Sequence, residues 1–187
     1  PFLADAFRRP GARWGLALLT ALVLASVIGP WFLPDPAAQP DVLGQATRPP
    51  SLAQPLGTDQ LSRDVLSRLV AGGRVSLSVA LLSVALAVTL GTMVGLVAGR
   101  AGRWIDAVLM RVVDGALAIP RLFLLLLLLA AWDRIPLWAL ILAIGGTGWL
   151  ATSRLVRAEV RRVAVEPFVQ AAEAMGANPE ATLKILF

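Results

Sequence analysis

Long apolar runs alternate with short polar connectors along this chain. A helix rises about 1.5 Å per residue, so about 20 apolar residues cross the hydrocarbon of a bilayer. Three stretches between ionisable residues reach that length: Trp14–Pro34 with 21 residues, Val75–Gly99 with 25 and Ile135–Ser153 with 19. A fourth run, Leu122–Trp132, holds only 11 uncharged residues. Extending it back to Ile105 brings in Asp106, Arg111 and Asp114. The pattern is read as one long tilted helix kinked at Pro120, with Arg111 and Asp114 spaced to pair. A surface helix followed by a short span is the alternative. The expected architecture is an all-α, polytopic transmembrane helical bundle with spans at about 14–33, 75–98, 105–132 and 135–153. A cleaved signal peptide is disfavoured, because the first apolar run exceeds the usual length of about 7–15 residues and further spans follow.

The connectors carry their own signals. Residues 34–55 contain Pro34, Pro36, Pro40, Pro49, Pro50 and Pro55, which predicts an extended loop. Next, Thr58 is a candidate N-cap with Asp59 in the first turn, and Leu61, Val65 and Leu69 share one face. Asp59/Arg63 and Asp64/Arg68 are acid-first pairs at helical spacing. A short amphipathic helix is therefore expected within 34–74, bracing the bundle or meeting the solute. Within the second span, Gly91, Gly95 and Gly99 form a stripe of small residues, read as a helix-packing surface with pore lining as the alternative. After the last span, Pro167 can open a helix running through Met175. Gly176 suits the position after a helix end, where positive φ costs glycine little. Asn178 and Pro179 can start another helix. Helix, elbow, helix is thus expected over about 164–187.

Composition narrows the function. The chain is 57% hydrophobic and 16% charged, with a mean hydropathy of +0.74. Soluble domains run at about 45–50% apolar and about 25% charged. Cysteine and histidine are absent, which removes thiolate nucleophiles, zinc-cysteine sites, Ser-His triads and histidine bases. The one lysine, Lys184, precedes Ile185 rather than Ser or Thr, so the chain carries no Walker A phosphate loop. No catalytic residues, metal ligands or cofactor are expected, and no residue stands out as substrate-binding.

The net charge of +5 is read as membrane topology rather than nucleic-acid binding. With the N-terminus inside, the inner segments hold Arg8, Arg9, Arg13, Arg100, Arg103, Arg154, Arg157, Arg161, Arg162 and Lys184. The outer ones hold Arg48, Arg63, Arg68, Arg74 and Arg134, matched by aspartates. The positive-inside rule therefore favours a cytoplasmic N-terminus and a cytoplasmic tail.

Phe168-Val-Gln-Ala-Ala-Glu-Ala-Met-Gly176 resembles the EAA loop of ABC importer permeases, whose core is E-A-A-x-x-x-G. Gln170 stands at the glutamate position, while Ala171, Ala172 and Gly176 match. Leu56-Gly-Thr-Asp-Gln-Leu-Ser-Arg-Asp64, Gly102-Arg-Trp-Ile-Asp-Ala-Val-Leu-Met-Arg111 and Asp114-Gly-Ala-Leu-Ala-Ile-Pro120 extend the likeness. As a set these are similar to the second permease subunit of dipeptide, oligopeptide and nickel importers, over about residues 14–187. Ser62 stands where that family usually has Gly, and Gln54 where it often has His.

The resemblance implies the type I ABC importer permease fold, with four of about six spans visible here, in a fragment of a longer inner-membrane subunit. It implies that Gln170, Ala171, Ala172, Gly176 and Asn178 belong to a loop docking on an ATPase subunit, where ATP and Mg are bound. It also implies a second permease subunit and an extracytoplasmic solute-binding protein as partners within the lipid bilayer assembly. Two other readings remain open on the residues alone. One is a membrane scaffold anchoring a cytoplasmic partner; the other is a self-contained channel or carrier.

Overall fold

The apolar runs fold into helix in the computed structural model, which describes residues 10–41, 44, 46–132 and 134–176. Among the described residues six α-helices follow in order: α1 (Pro10–Ile28), α2 (Val65–Arg100), α3 (Arg103–Leu117), α4 (Arg121–Ala131), α5 (Leu137–Ala164) and α6 (Pro167–Ala174). A 3-10 turn, Gly29–Trp31, extends α1. No strand occurs among the described residues, only an isolated antiparallel bridge between Thr58 and Asp64. The all-α expectation therefore holds. Three helical segments, Pro10–Trp31, Val65–Arg100 and Leu137–Ala164, are long and apolar enough to cross a membrane. Expected breakers set their bounds: Pro136 immediately precedes α5 and Pro120 precedes α4, each ring removing an N–H that a continuing helix needs.

Two compact units divide the chain, residues 1–78 and 79–187, with α2 running through the boundary. In the first unit, α1 lies close against the opening turns of α2. A Cβ on Gly73 would fall 2.5 Å from Ser26 Oγ, and one on Gly29 would fall 2.7 Å from Val70 Cγ1. Ser26 and Val70 are both buried in that contact, whereas most of the large apolar side chains of α1 are exposed, as a surface facing lipid tails requires.

The short amphipathic helix expected after residue 58 does not form. Gly57 and Ser62 have φ of +72° and +64°, which no right-handed helix accommodates. The segment turns instead. Asp59 and Arg63 close it through Asp59 N–H to Arg63 O at 3.0 Å and Ser62 N–H to Asp59 O at 3.0 Å. Helix begins only at Val65 and then continues without a break into the span. Thr58 is thus not the N-cap: Asp64 takes that role, its Oδ2 accepting the Ser67 amide at 2.8 Å. Asp64 consequently does not pair with Arg68, which reaches Asp59.

In the second unit the expected helix over 105–132 is two helices, separated at Ala118–Pro120. Pro120 lies in extended backbone at φ −60°, ψ 125°, so it breaks the helix rather than kinking it. The expected Arg111–Asp114 pair is absent, because Asp114 bonds Arg154 across to α5. Helix α5 continues from the apolar stretch into the basic segment as one piece to Ala164.

Candidate functional site

The glycine stripe of α2 builds the central contact of the second unit. A Cβ on Gly91 would lie 2.5 Å from Thr152 Cβ, on Gly95 2.7 Å from Ser153 O, and on Gly99 2.7 Å from Val160 Cγ1. Successive turns of α2 therefore rest directly on successive turns of α5, which is the packing that small residues four apart permit. The relationship is reciprocal. A Cβ on Gly145 of α5 would lie 2.9 Å from the Ser83 carbonyl oxygen, and one on Gly148 would lie 3.1 Å from Ala87 Cβ. Ala98, Ser83 and Ser153 are buried here, and Ser83 Oγ donates to the Ile141 carbonyl at 3.3 Å. The α5 half of this seam escaped the sequence reading, although Gly145-Gly146-Thr147-Gly148 was its signal.

Beyond the seam, α3 is clamped to α5. Asp106, on the first turn of α3, is buried to 7% exposure. Its two oxygens accept from Arg157, with Nη2 2.7 Å from Oδ2, and Arg161 Nη2 adds a contact at 2.6 Å. A fork meeting a carboxylate on both oxygens fixes orientation as well as distance. Arg157 and Arg161 are one helical turn apart, so both reach the same acid. The Asp114–Arg154 pair lies farther along the same two helices and is about half exposed, where such pairs contribute little.

Helix α5 ends at Val165, and a tight turn leads into α6. Glu166 accepts the Val169 and Gln170 amides through its carbonyl, at 3.0 and 3.2 Å. Val169 is buried, while Gln170 and Ala171 are exposed. Gln170 Nε2 donates to the Val165 carbonyl at 3.3 Å, a bond that a glutamate in its place could not donate. The Met175 amide bonds the Ala171 carbonyl at 3.1 Å, and Gly176 follows with φ +86°. A Cβ on Gly176 would meet nothing within 4 Å, so its glycine serves the backbone turn alone. Ala172 lies within α6. Asn178 and the second helix of the expected elbow lie outside the described residues.

The turn over 57–68 is the other polar site. Asp59 is its hub: Oδ1 accepts the Leu61 and Arg63 amides at 2.8 and 3.0 Å, and Oδ2 accepts the Arg63 and Arg68 guanidinium groups. Desolvation pushes its carboxyl up, but the Arg63 and Leu61 amides and the Arg63 guanidinium outweigh it and hold the pKa at about 2. Thr58 Oγ1 accepts the Arg48 amide at 2.9 Å, and the Thr58 amide bonds the Arg48 carbonyl at 3.1 Å. Gly57 is pressed on the same strand of loop: a Cβ there would lie 2.3 Å from the Arg48 carbonyl oxygen. Thr58, Asp59, Arg63 and Asp64 are thus brought together, but as a hydrogen-bonded turn.

Comparisons with known proteins bear on the family. The family model described as binding-protein-dependent transport system inner membrane component matches residues 91–186. A second, the N-terminal TM domain of oligopeptide transport permease C, matches residues 2–50. A protein of Brucella abortus whose name describes a peptide permease is 37% identical over 167 residues, covering 89% of this chain and 55% of its own. The dipeptide transport system permease protein of Bacillus subtilis is 33% identical, covering 95% of this chain and 56% of its own. The oligopeptide transport system permease protein of the same organism is 30% identical, covering 92% and 55%. The chain spans about half the length of these curated relatives. Its helices, its spans and these matches place it together: the chain belongs to the binding-protein-dependent transport inner-membrane components, the membrane permease family of ABC importers.

Proposed function

We propose that this chain is part of a permease subunit that passes peptides inward across a cell membrane, driven by ATP hydrolysed in a separate subunit. Family membership and the peptide-permease names of the relatives support the solute class. The observation that supports the coupling role is the tight turn by which α5 passes directly into α6. Helix α5 is fixed to α2 by the glycine seam and to α3 by Asp106, and leads into a short helix that buries Val169, exposes Gln170 and Ala171, and is followed by Gly176. A push on α6 is thereby delivered to a set of packed helices rather than dissipated in a loose tail. Gln170, Ala171, Ala172, Gly176 and Asn178 form the docking segment, and ATP with Mg resides on the ATPase. The second permease and an extracytoplasmic binding protein complete the assembly. The N-terminus and α6 are cytoplasmic, as the arginines of the α5 end favour.

Co-purification of the ATPase with the tagged full-length permease tests the coupling. Ala171 is exposed, so Ala171→Asp leaves the helices folded and is expected to reduce both ATPase retention and solute uptake. Gly176→Val, which forces a β-branched residue into positive φ at a cost of about 1–2 kcal/mol, is expected to do the same. Full retention with full uptake in both variants removes α6 from the mechanism.

A further inference from the structure

The break between α3 and α4 opens a cavity of about 220 Å3 against α5, and one charged side chain, Arg121, lines it. Thr147 and Gly148 of α5 form part of the facing wall, with Ala116 and Ile119 on the near side. Arg121 Nη2 donates to the Ile144 carbonyl at 3.1 Å. Among the described residues Arg121 meets no carboxylate.

Two lengths along the apolar stretches of α4 and α5 point to mid-depth for this guanidinium. Ile144 is the central residue of the 19-residue uncharged stretch Ile135–Ser153. Helix α4 runs for 11 residues from Arg121 to its far end, about 15 Å, or half of the roughly 30 Å hydrocarbon. That far end is marked by Trp132, packed edge-on to Trp138 with ring centroids 6.1 Å apart, the residue type that gathers at membrane interfaces. Broken backbone and an ionised side chain at mid-depth are both costly unless they face protein or a water-filled passage. The cavity has room for several waters. Thr147 already spends its hydroxyl proton on the Ala143 and Ile144 carbonyls, leaving Arg121 as the donor with capacity to spare.

We propose that Arg121 takes the C-terminal carboxylate of a passing peptide at the midpoint of the translocation path. The proposal rests on the peptide-permease reading above and adds how the solute is held. Peptides of different sequence share their terminal groups, so a permease handling many of them needs a contact on an invariant group. A guanidinium offers a forked match to a carboxylate. Its exposed position and its tether to Ile144 keep the contact weak enough to release.

The test uses the assembled importer in proteoliposomes, with its full-length permeases, ATPase and binding protein. Uptake of labelled dipeptides and tripeptides is compared with that of their C-terminal amides, for the native complex and for Arg121→Gln and Arg121→Lys. Comparing ratios across the four combinations cancels the binding protein's own preference between acid and amide. Arg121→Gln is expected to lower uptake of the free acids about tenfold, the effect of losing a charged hydrogen bond, while leaving amide uptake unchanged. Arg121→Lys is expected to fall between. Unchanged amide uptake also shows that the variant folds and assembles. An equal loss for acids and amides, or no loss for either, overturns the carboxylate contact alone. Failure of the native complex to import any peptide overturns the peptide reading and this proposal with it.

Discussion

Arg157 holds both carboxylate oxygens of Asp106 across 51 residues of sequence. The acid is buried on α3 and the base belongs to the basic end of α5, so this pair fixes the spacing of two helices that share no local sequence. Asp106→Asn leaves Arg157 and Arg161 facing each other without a counter-charge. It is expected to cost about 2–3 kcal/mol and to lower the melting temperature of the detergent-purified permease. Arg157→Lys keeps the charge but loses the fork, and its loss is expected to be smaller. An unchanged melt for Asp106→Asn contradicts the clamp.

The seam makes a sharper demand at Gly95. A single methyl there falls 2.7 Å from the Ser153 carbonyl oxygen and from Val156 Cβ, so Gly95→Ala forces α2 and α5 apart. The expected destabilisation is about 1–3 kcal/mol, and Gly95→Leu is expected to abolish assembly. Gly146, inside α5, where a Cβ meets nothing within 4 Å, is the control: Gly146→Ala is expected not to destabilise. Equal behaviour of the two alanine variants in thermal melts counts against the seam.

Ser62 has φ +64°, a backbone conformation that favours glycine. Its hydroxyl compensates in part by accepting the Asp41 amide at 3.3 Å. Ser62→Ala loses that bond and keeps the backbone cost, so it is expected to destabilise the turn by about 1 kcal/mol. Ser62→Gly trades one effect for the other and is expected to be the milder change. Thermal melts or protease sensitivity of the turn check the ranking, which fails if glycine is the worse substitution.

The turn around Asp59 has a defined acid limit. The folded pKa of about 2 lies below the ordinary value of 3.8, so Asp59 stabilises the turn fully above the ordinary value. That contribution is lost as pH falls from 3.8 towards about 2. Amide exchange at Leu61 and Arg63, corrected for its intrinsic pH dependence, is expected to accelerate in this window. Asp59→Asn is expected to show faster exchange that no longer changes there.

Labelling settles the topology. The native chain has no cysteine, so single cysteines at positions 49 and 162 report cleanly. An impermeant thiol reagent applied from outside is expected to reach Pro49→Cys and not Arg162→Cys. The reverse pattern overturns the orientation.

What the sequence disclosed follows from the range of the forces involved. Uncharged windows located α1, α2 and α5 because insertion depends on a sum over about 20 neighbours. Gly176 was legible because a helix end is a local event, and the glycine stripe because its four-residue spacing has one main use. Asp64 and Asp114 were misassigned for the opposite reason. Spacing offered each a near arginine, Arg68 and Arg111, but folding gave Asp64 a capping bond to Ser67 and gave Asp114 the distant Arg154. The turn at 57–64 depends on the Arg48 carbonyl and amide, ten residues back, which no helical periodicity encodes. Arg121 carried no local motif. Its bond to the Ile144 carbonyl, 23 residues on, comes only from the pairing of α4 with α5.

The glycine seam has a property that the arginine clamp beside it lacks. Its contacts at Gly91, Gly95, Gly99, Gly145 and Gly148 are made by backbone and uncharged side chains. Moving a charge through the membrane field costs about 2.3 kcal/mol per 100 mV, but these contacts carry none to move. Nor do they weaken as ions accumulate in the surrounding solution. The α2–α5 seam is therefore expected to feel neither membrane voltage nor salt directly, which leaves any such response to the charged helix ends.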